Sequence, residues 1–240
     1  MPEREVFEIR GARLVLGDAA ELAKEHAGTA DLILSDPPYK LTSGGRPKPS
    51  ADGFRRMGGI FSGQVYDNSG LLMAVPTWGE VSAVITTLAA PRSEAYVMAN
   101  DKNIFPAHAA LVADGWRLHN LLVWDKMSPV PNRWYMKHAE FVLYVWKGPA
   151  HAIANKGSKQ ISTMRLAADE PKIHPTQKPR TLLTSYIENS TEPGQTVIDP
   201  YAGSGSTLIA AARAGRRAIG FEVCPERFTA AAAHMREALS

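Results

Sequence analysis

Thr196-Val197-Ile198-Asp199-Pro200-Tyr201-Ala202-Gly203-Ser204-Gly205-Ser206-Thr207 is a short apolar run that ends on a carboxylate and then passes through a Gly-X-Gly turn. The turn opens directly into the alanine-rich stretch Ser206 to Ala214, which reads as a helix closed by Gly215. Arg217 to Val223 then reads as a further strand. Strand, glycine turn, helix and strand at this spacing form a βαβ unit, the building block of a parallel sheet. Immediately upstream, Thr181 to Ser190 has helical character and Glu192-Pro193-Gly194 is a turn, which extends the same alternation backwards.

The N-terminal part repeats the logic. Arg13 to Leu16 reads as a strand, and Asp18 as the N-cap of a helix over Ala19 to His26. Asp31-Leu32-Ile33-Leu34-Ser35 is a continuous apolar run of strand length, the pattern of a strand buried on both faces. It stops at Asp36-Pro37-Pro38-Tyr39, because two prolines cannot continue a central strand. Between the two ends lie predicted helices over Val81 to Ala90 and Ile104 to Asp114. Predicted strands cover Glu94 to Met98, Leu118 to Trp124 and Phe141 to Trp146. The alternation predicts an α/β protein with a doubly wound sheet, organised as one domain over residues 1–240. Two stretches, about 40–75 and 147–175, are basic, polar and irregular, as expected of functional loops.

Composition narrows the function classes. The 240 residues are 45% hydrophobic and 21% charged, with a net charge of +3, which fits a globular protein able to bury a large core. No apolar run is long enough to cross a bilayer and the first residues lack a signal-peptide core, so a cytoplasmic location and no membrane partner are expected. The single cysteine, Cys224, excludes an internal disulfide and any cysteine-rich metal site, and is expected to be a small buried residue. The seven histidines show no ligand spacing, so no metal is expected. The local charge is more telling than the total. Lys40, Arg46, Lys48, Arg55 and Arg56 follow the proline tetrapeptide, and Lys156 and Lys159 fall in the second basic stretch. Arg133 and Lys137 flank the aromatic pair Trp134-Tyr135. Basic clusters of this kind are either solvated loops or phosphate contacts.

Two strand-end motifs carry the chemistry. The Gly203-Ser204-Gly205 turn lacks the lysine of a phosphate-cradling loop and has Leu208 where a dinucleotide fingerprint wants a third glycine. Such a turn is also a plain tight connection, but Glu222 at the end of the next strand supplies a carboxylate suited to the two hydroxyls of a ribose. Asp199 would then face a cationic ligand end. Asp36-Pro37-Pro38-Tyr39 suits transfer to an exocyclic amine. The lone pair of such an amine is delocalised into the ring, and two acceptors aimed at its N–H groups would localise it. The Asp36 carboxylate and the Pro37 carbonyl can provide them, with Pro38 stiffening the backbone. Tyr39 offers an aromatic face for a base, a stacking contact of about 1–3 kcal/mol.

Taken together these motifs resemble the amino-methyltransferase family of DNA methylases in its permuted arrangement, with the catalytic motif before the cofactor motif. The resemblance runs from Gly17-Asp18 through Arg236. It is most specific at His174-Pro175-Thr176-Gln177-Lys178-Pro179, Pro193-Gly194, Asp199 to Thr207 and Gly220-Phe221-Glu222, with Trp124-Asp125-Lys126 and Glu140 as further matches. It implies a Rossmann-like S-adenosylmethionine-dependent methyltransferase fold with a mixed sheet. It also implies double-stranded DNA as partner, and N6 of a flipped-out adenine as the favoured target, since Asp-Pro-Pro-Tyr is commoner in adenine enzymes. Residue by residue it implies that Asp36, Pro37, Pro38 and Tyr39 hold the base. Asp199, Tyr201, Ala202, Gly203, Ser204, Gly205, Ser206 and Thr207 would line the cofactor's methionine part. Glu222 would take its ribose, Asp18 would lie near its adenine, and Thr176, Gln177 and Lys178 would close over the methionine end. The segment between Gly148 and Lys172 is short for a recognition region, which leaves room for a homodimer. Rival readings are cytosine-N4 methylation, methylation of RNA or of a protein glutamine, a non-catalytic DNA-binding module, and a dehydrogenase. A cytosine-C5 enzyme fails for want of a cysteine on a catalytic loop.

Overall fold

A computed structural model describes residues 4–39, 75–130, 134–167, 170–171 and 177–240. The expected loop 40–75 is therefore almost wholly outside the described residues, as are Thr176, Lys40, Arg46, Lys48, Arg55, Arg56 and Arg133.

The strands are β1 (Val6–Ile9), β2 (Ala12–Leu16), β3 (Ala30–Ser35), β4 (Ala89–Ala99), β5 (Arg117–Val130), β6 (Lys137–Lys147), β7 (Ile161–Ser162), β8 (Thr196–Asp199) and β9 (Arg217–Glu222). The helices are α1 (Ala19–Glu25), α2 (Trp78–Leu88), α3 (Ile104–Ala113), α4 (Arg180–Ser190), α5 (Ser206–Arg213) and α6 (Pro225–Leu239). The strands join in one sheet of order β1-β2-β9-β8-β3-β4-β6-β5-β7. From β2 to β4 the neighbours are parallel, and β1, β6 and β5 add antiparallel pairings. The expected doubly wound mixed sheet is thus present.

Its parallel centre follows from the apolar runs. β3 sends Leu32 and Leu34 to one face, packed with Leu182, Ile187, Leu208 and Met235 of α4, α5 and α6. Ile33 points to the other face, with Leu22, Ile85 and Leu111 of α1, α2 and α3. Period-two side chains in the apolar stretch Leu32 to Leu34 require helices on both faces, and both are covered. Local caps set the helix starts. Asp18 accepts from the backbone N–H groups of Ala20 and Glu21, and Thr77 with Glu80 forms a reciprocal capping box that starts α2 three residues before the predicted Val81. The crossovers reverse between β8 and β3. The chain leaves β8 toward β9 through α5, and leaves β3 toward β4 through α2, so the carboxyl ends of β8 and β3 flank the topological switch point.

Several elements exceed the sequence expectation. β1 and α6 had no counterpart in it, and β5 and β6 extend as a long hairpin. β4 ends at Ala99, paired with Phe141, so residues 137–140 of β6 overhang it at the carboxyl edge. Within the second irregular stretch, β7 adds a two-residue parallel strand beside β5. The start of that stretch is tied down by His151, whose ring meets the buried Glu94 carboxylate at 2.6 Å, while the Tyr144 hydroxyl donates to the same side chain at 2.8 Å. Cys224 is only partly buried. It caps α6 and its thiol donates to Glu226, which corrects the expectation of a core residue.

Candidate active site

Register places the two motifs side by side. Ile33 pairs with Ile198, so Asp36 follows three residues after a position level with the end of β8, and Asp199 pairs in turn with Gly220 of β9. The ends of β3, β8 and β9 together border a cavity of ≈ 410 Å³. Asp36, Pro37, Pro38 and Tyr39 line it, as do Asp18, Gln177, Lys178, Asp199, Tyr201, Ala202, Gly203, Ser204, Ser206, Thr207 and Glu222. Residues expected from two distant stretches of sequence thus share one cavity.

The cofactor half is built by the turn after β8. Gly203 and Gly205 both have positive φ, and Gly205 is the N-cap of α5. Gly205 is absent from the cavity wall. A Cβ there would stand 3.1 Å from Met235 of α6, so a glycine at this position lets the turn pack against that helix. The same helix steadies the turn through His234, whose Nδ1 donates to the Ser204 carbonyl at 2.8 Å. Nothing in the sequence marked His234, because its partner lies on another element.

Asp199 accepts from the Tyr201 N–H at 3.0 Å. Burial pushes its carboxyl up to about 7, only partly offset by hydrogen bonds from Thr207 and Tyr201. Burial likewise raises Glu222, which accepts from the Cys224 N–H at 2.9 Å. Two desolvated carboxylates on adjacent strand ends suit a ligand that brings an ammonium and hydroxyl groups. Asp18 is at the cavity with its carboxylate engaged in capping α1, so only its remaining acceptor capacity faces a ligand.

In the other half, Tyr39 stacks on Trp78 with ring centroids 6.1 Å apart, and the Trp78 indole N–H donates to Asn103 at 3.1 Å. Trp78, itself held by Asn103, thus braces Tyr39. The Lys178 ammonium contacts Asp36 Oδ2 at 2.5 Å and Glu140 Oε2 at 3.2 Å, although Lys178 was expected at the methionine end. Lys126 meets the other oxygen of Glu140 at 3.1 Å. Gln177 donates to the Pro171 carbonyl at 3.0 Å. Trp124-Asp125-Lys126 and Glu140 had matched family motifs, so a signal existed, but no role could be attached to Lys126 or Glu140 without their partners.

Of the candidate DNA-contacting residues, only Lys156 and Lys159 are among the described ones, and neither lines the cavity. Lys156 and Lys159 are exposed, and the neighbouring Asn155 and Ser158 bond Asn189 at the last turn of α4, the end remote from Lys178. Trp134 and Tyr135 at the hairpin tip are 72% and 92% exposed. Among the described residues no group of His, Cys, Asp and Glu could hold a metal ion, and no helix is long and apolar enough to cross a membrane.

A glycine turn after one parallel strand, an acidic end on the next, and a proline tetrapeptide across the switch point define a Rossmann-like S-adenosylmethionine-dependent methyltransferase fold in its permuted form. The model of the N6/N4 methyltransferase family, described as DNA methylase, matches residues 30–233. The chain belongs to this DNA methylase family. It is 26% identical over 234 residues to the type II methyltransferase M2.DpnII of Streptococcus pneumoniae, covering 84% of this chain and 80% of that protein. The crystal structure of an M1.HpyAVI–SAM complex matches with TM-score 0.64 and 25% identity, over 91% of this chain and 96% of that one. The PvuII DNA methyltransferase, cytosine-N4-specific, shares the fold with TM-score 0.66 at 18% identity, over 93% and 86% of the two chains.

Proposed function

We propose that this DNA methylase, a single domain over residues 1–240, transfers a methyl group from S-adenosylmethionine to N6 of an adenine flipped out of double-stranded DNA. One observation carries the reading: Asp36 to Tyr39 line the same cavity as Asp199 and Glu222. An acceptor set for an amine and an acceptor set for a cationic, hydroxylated cofactor therefore face one space. S-adenosylmethionine supplies an electrophilic sulfonium methyl. Asp199 would face its ammonium, Glu222 its ribose hydroxyls, and the Gly203 to Thr207 turn would follow its methionine chain. Tyr39, braced by Trp78, would stack on the extruded base while Asp36 and the Pro37 carbonyl accept from its amino group. Stacking of about 1–3 kcal/mol is comparable with the few kcal/mol needed to extrude the base. The basic stretches about 40–75 and 147–175 would contact phosphates, in the cytoplasm and with a homodimer as one arrangement that widens a small recognition segment.

The test is transfer from labelled S-adenosylmethionine to unmethylated mixed-sequence duplex DNA, followed by digestion to nucleosides. N6-methyladenine is expected. N4-methylcytosine would keep the site chemistry and overturn the choice of base, and label in RNA or protein with none in DNA would overturn the substrate.

The raised Asp199 gives a second expected result. A cofactor ammonium binds the ionised carboxylate, so cofactor affinity should rise from pH 5.5 to pH 7 and level off above about 7. The cofactor-free protein behaves oppositely. With the folded pKa above the unfolded one, Asp199 costs stability as pH rises from about 4 toward 7. Titration calorimetry across this range should show the slope for the native protein and a flat response for Asp199→Asn. A native profile as flat as that variant's would remove Asp199 from the cofactor's cationic end.

A further inference from the structure

Four charged side chains form an alternating chain at the catalytic edge. Asp36 at the end of β3 meets Lys178 just before α4, Lys178 meets Glu140 on β6, and Glu140 meets Lys126 on β5. Lys178 is the innermost, with a side chain 7% exposed. Glu140 assigns one oxygen to each lysine, Oε2 to Lys178 at 3.2 Å and Oε1 to Lys126 at 3.1 Å. Lys178 touches Oδ2 of Asp36.

A carboxylate drawn away from water drifts toward its neutral form, and a neutral Asp36 would lose acceptor capacity toward an amine. A lysine beside it restores the charge. A lysine with no second carboxylate would be free to swing across both Asp36 oxygens and occupy the acceptor itself. Glu140 removes that freedom, and Lys126 keeps Glu140 ionised and aimed. We propose that Glu140 is a positioning residue that, backed by Lys126, holds Lys178 on one oxygen of Asp36 and so presents the other, ionised, to the target amine. This rests on the reading that Asp36 accepts from that amine.

The electrostatics agree in direction. Burial raises Asp36, the Lys178 ammonium offsets part of that rise, and Glu140 adds to it. Burial acts upward on Glu140 too, but Lys178 and Lys126 hold it below the usual carboxylate range. Lys178 is held well above its ordinary value by Asp36 and Glu140 despite burial. Among the described residues, the other ionisable groups facing this chain are Tyr39, beside Lys178, and Asp199 on β8, which senses Asp36.

The experiment is the pH profile of kcat for methyl transfer to unmethylated mixed-sequence duplex DNA, with cofactor affinity and thermal unfolding measured on each variant. Lys178→Met leaves Asp36 against Glu140 with no cation between them, so the acidic limb should move up by about one pH unit or more. Glu140→Gln removes the anion that raises Asp36, so its limb should move down. Its plateau should also fall about tenfold with KM for DNA unchanged, because Lys178 is less well held. Glu140→Asp should recover part of that plateau. Lys126→Met, on the exposed side of the chain, should shift the limb upward by less than Lys178→Met, and it keeps the test open if Lys178→Met does not fold. Limbs that coincide with wild type in folded Glu140→Gln and Lys126→Met, or a change in KM alone, would overturn the proposal. Asp36→Asn separates the two levels. If it still methylates DNA, the underlying reading of Asp36 is wrong. If it is inactive while the limbs stay fixed, only the role of Glu140 is wrong.

Discussion

Asp36→Asn should lower methyl transfer by about 10²–10⁴-fold while cofactor affinity stays close to that of the native protein. Asparagine keeps the size of aspartate but presents an amide, whose NH₂ donates where the target amine needs an acceptor. The substitution also removes the anion nearest Lys178, yet Glu140 remains 3.2 Å from that ammonium, so the lysine keeps a buried partner and the fold should survive. Asp199 and Glu222, the carboxylates assigned to the cofactor, stand on other strands, and losing the Asp36 charge only eases the ionisation of Asp199. Asp36→Ala should be equally inactive and less stable, since it leaves a void beside the ammonium. Calorimetry with S-adenosylmethionine and a labelled transfer assay on the same preparation decide the point. Transfer persisting in folded Asp36→Asn would refute the amine-acceptor role, and loss of cofactor binding would move Asp36 to the other half of the cavity.

Gly148→Ala should be among the most damaging single methyl additions in the molecule. Gly148 follows the last residue of β6 with φ of +83°, a region L side chains avoid at a cost of about 1–2 kcal/mol. A Cβ there would lie 2.2 Å from the Pro91 carbonyl oxygen and 3.2 Å from the Arg92 Cα, both backbone atoms of β4 that have no rotamer to adopt. Adding about 1–3 kcal/mol for overpacking gives a loss of about 3 kcal/mol. For a chain of this size that corresponds to a fall in Tm of about 6–12 °C. Gly115→Ala is the control. It has φ of +87° with nothing within 4 Å of its Cβ, so it should carry the conformational cost alone. Equal shifts in the two variants would mean that β4 moves aside at Gly148 without cost.

The structural reason for caution at Gly148 is its place between a core strand pair and the irregular segment that follows. Ser93 pairs with Lys147, and the register continues to Ala99 and Phe141 at the catalytic edge. A strain relieved by slipping this pair would move Glu140, the residue before Phe141. Loss of stability and loss of alignment in the Asp36 chain would then come together.

How much of this was legible in the sequence differs by element. β3, β8 and β9 were readable because an unbroken apolar run has one stable use in an α/β protein, burial on both faces. The ends of β3 and β8 were readable because proline and Gly-X-Gly end strands for backbone reasons that need no tertiary contact. β1 was missed since Val6 to Ile9 is an edge strand with alternating half-burial and weak periodicity. The length of the β5–β6 hairpin was missed because residues 125–140 carry charged and exposed aromatic side chains, Trp134 and Tyr135 among them, which read as loop. The motif marked Gly205 for the ligand, but that the helix α6 packs behind it at Met235 was invisible, because the two lie on separate elements.

The sequence by itself determined that two acidic strand ends exist, one followed by prolines and one by a glycine turn, since both depend only on neighbouring residues. Only the tertiary structure decided that they meet. The order β8-β3 at the sheet centre sets side by side strands that are more than 150 residues apart in the chain, and no local pattern specifies sheet order. The same holds for Lys178, which reaches an Asp36 placed 142 positions earlier. Its residue type was written in the chain, but the carboxylate it would serve was set by which strand ends the fold brought within reach of its long, flexible side chain.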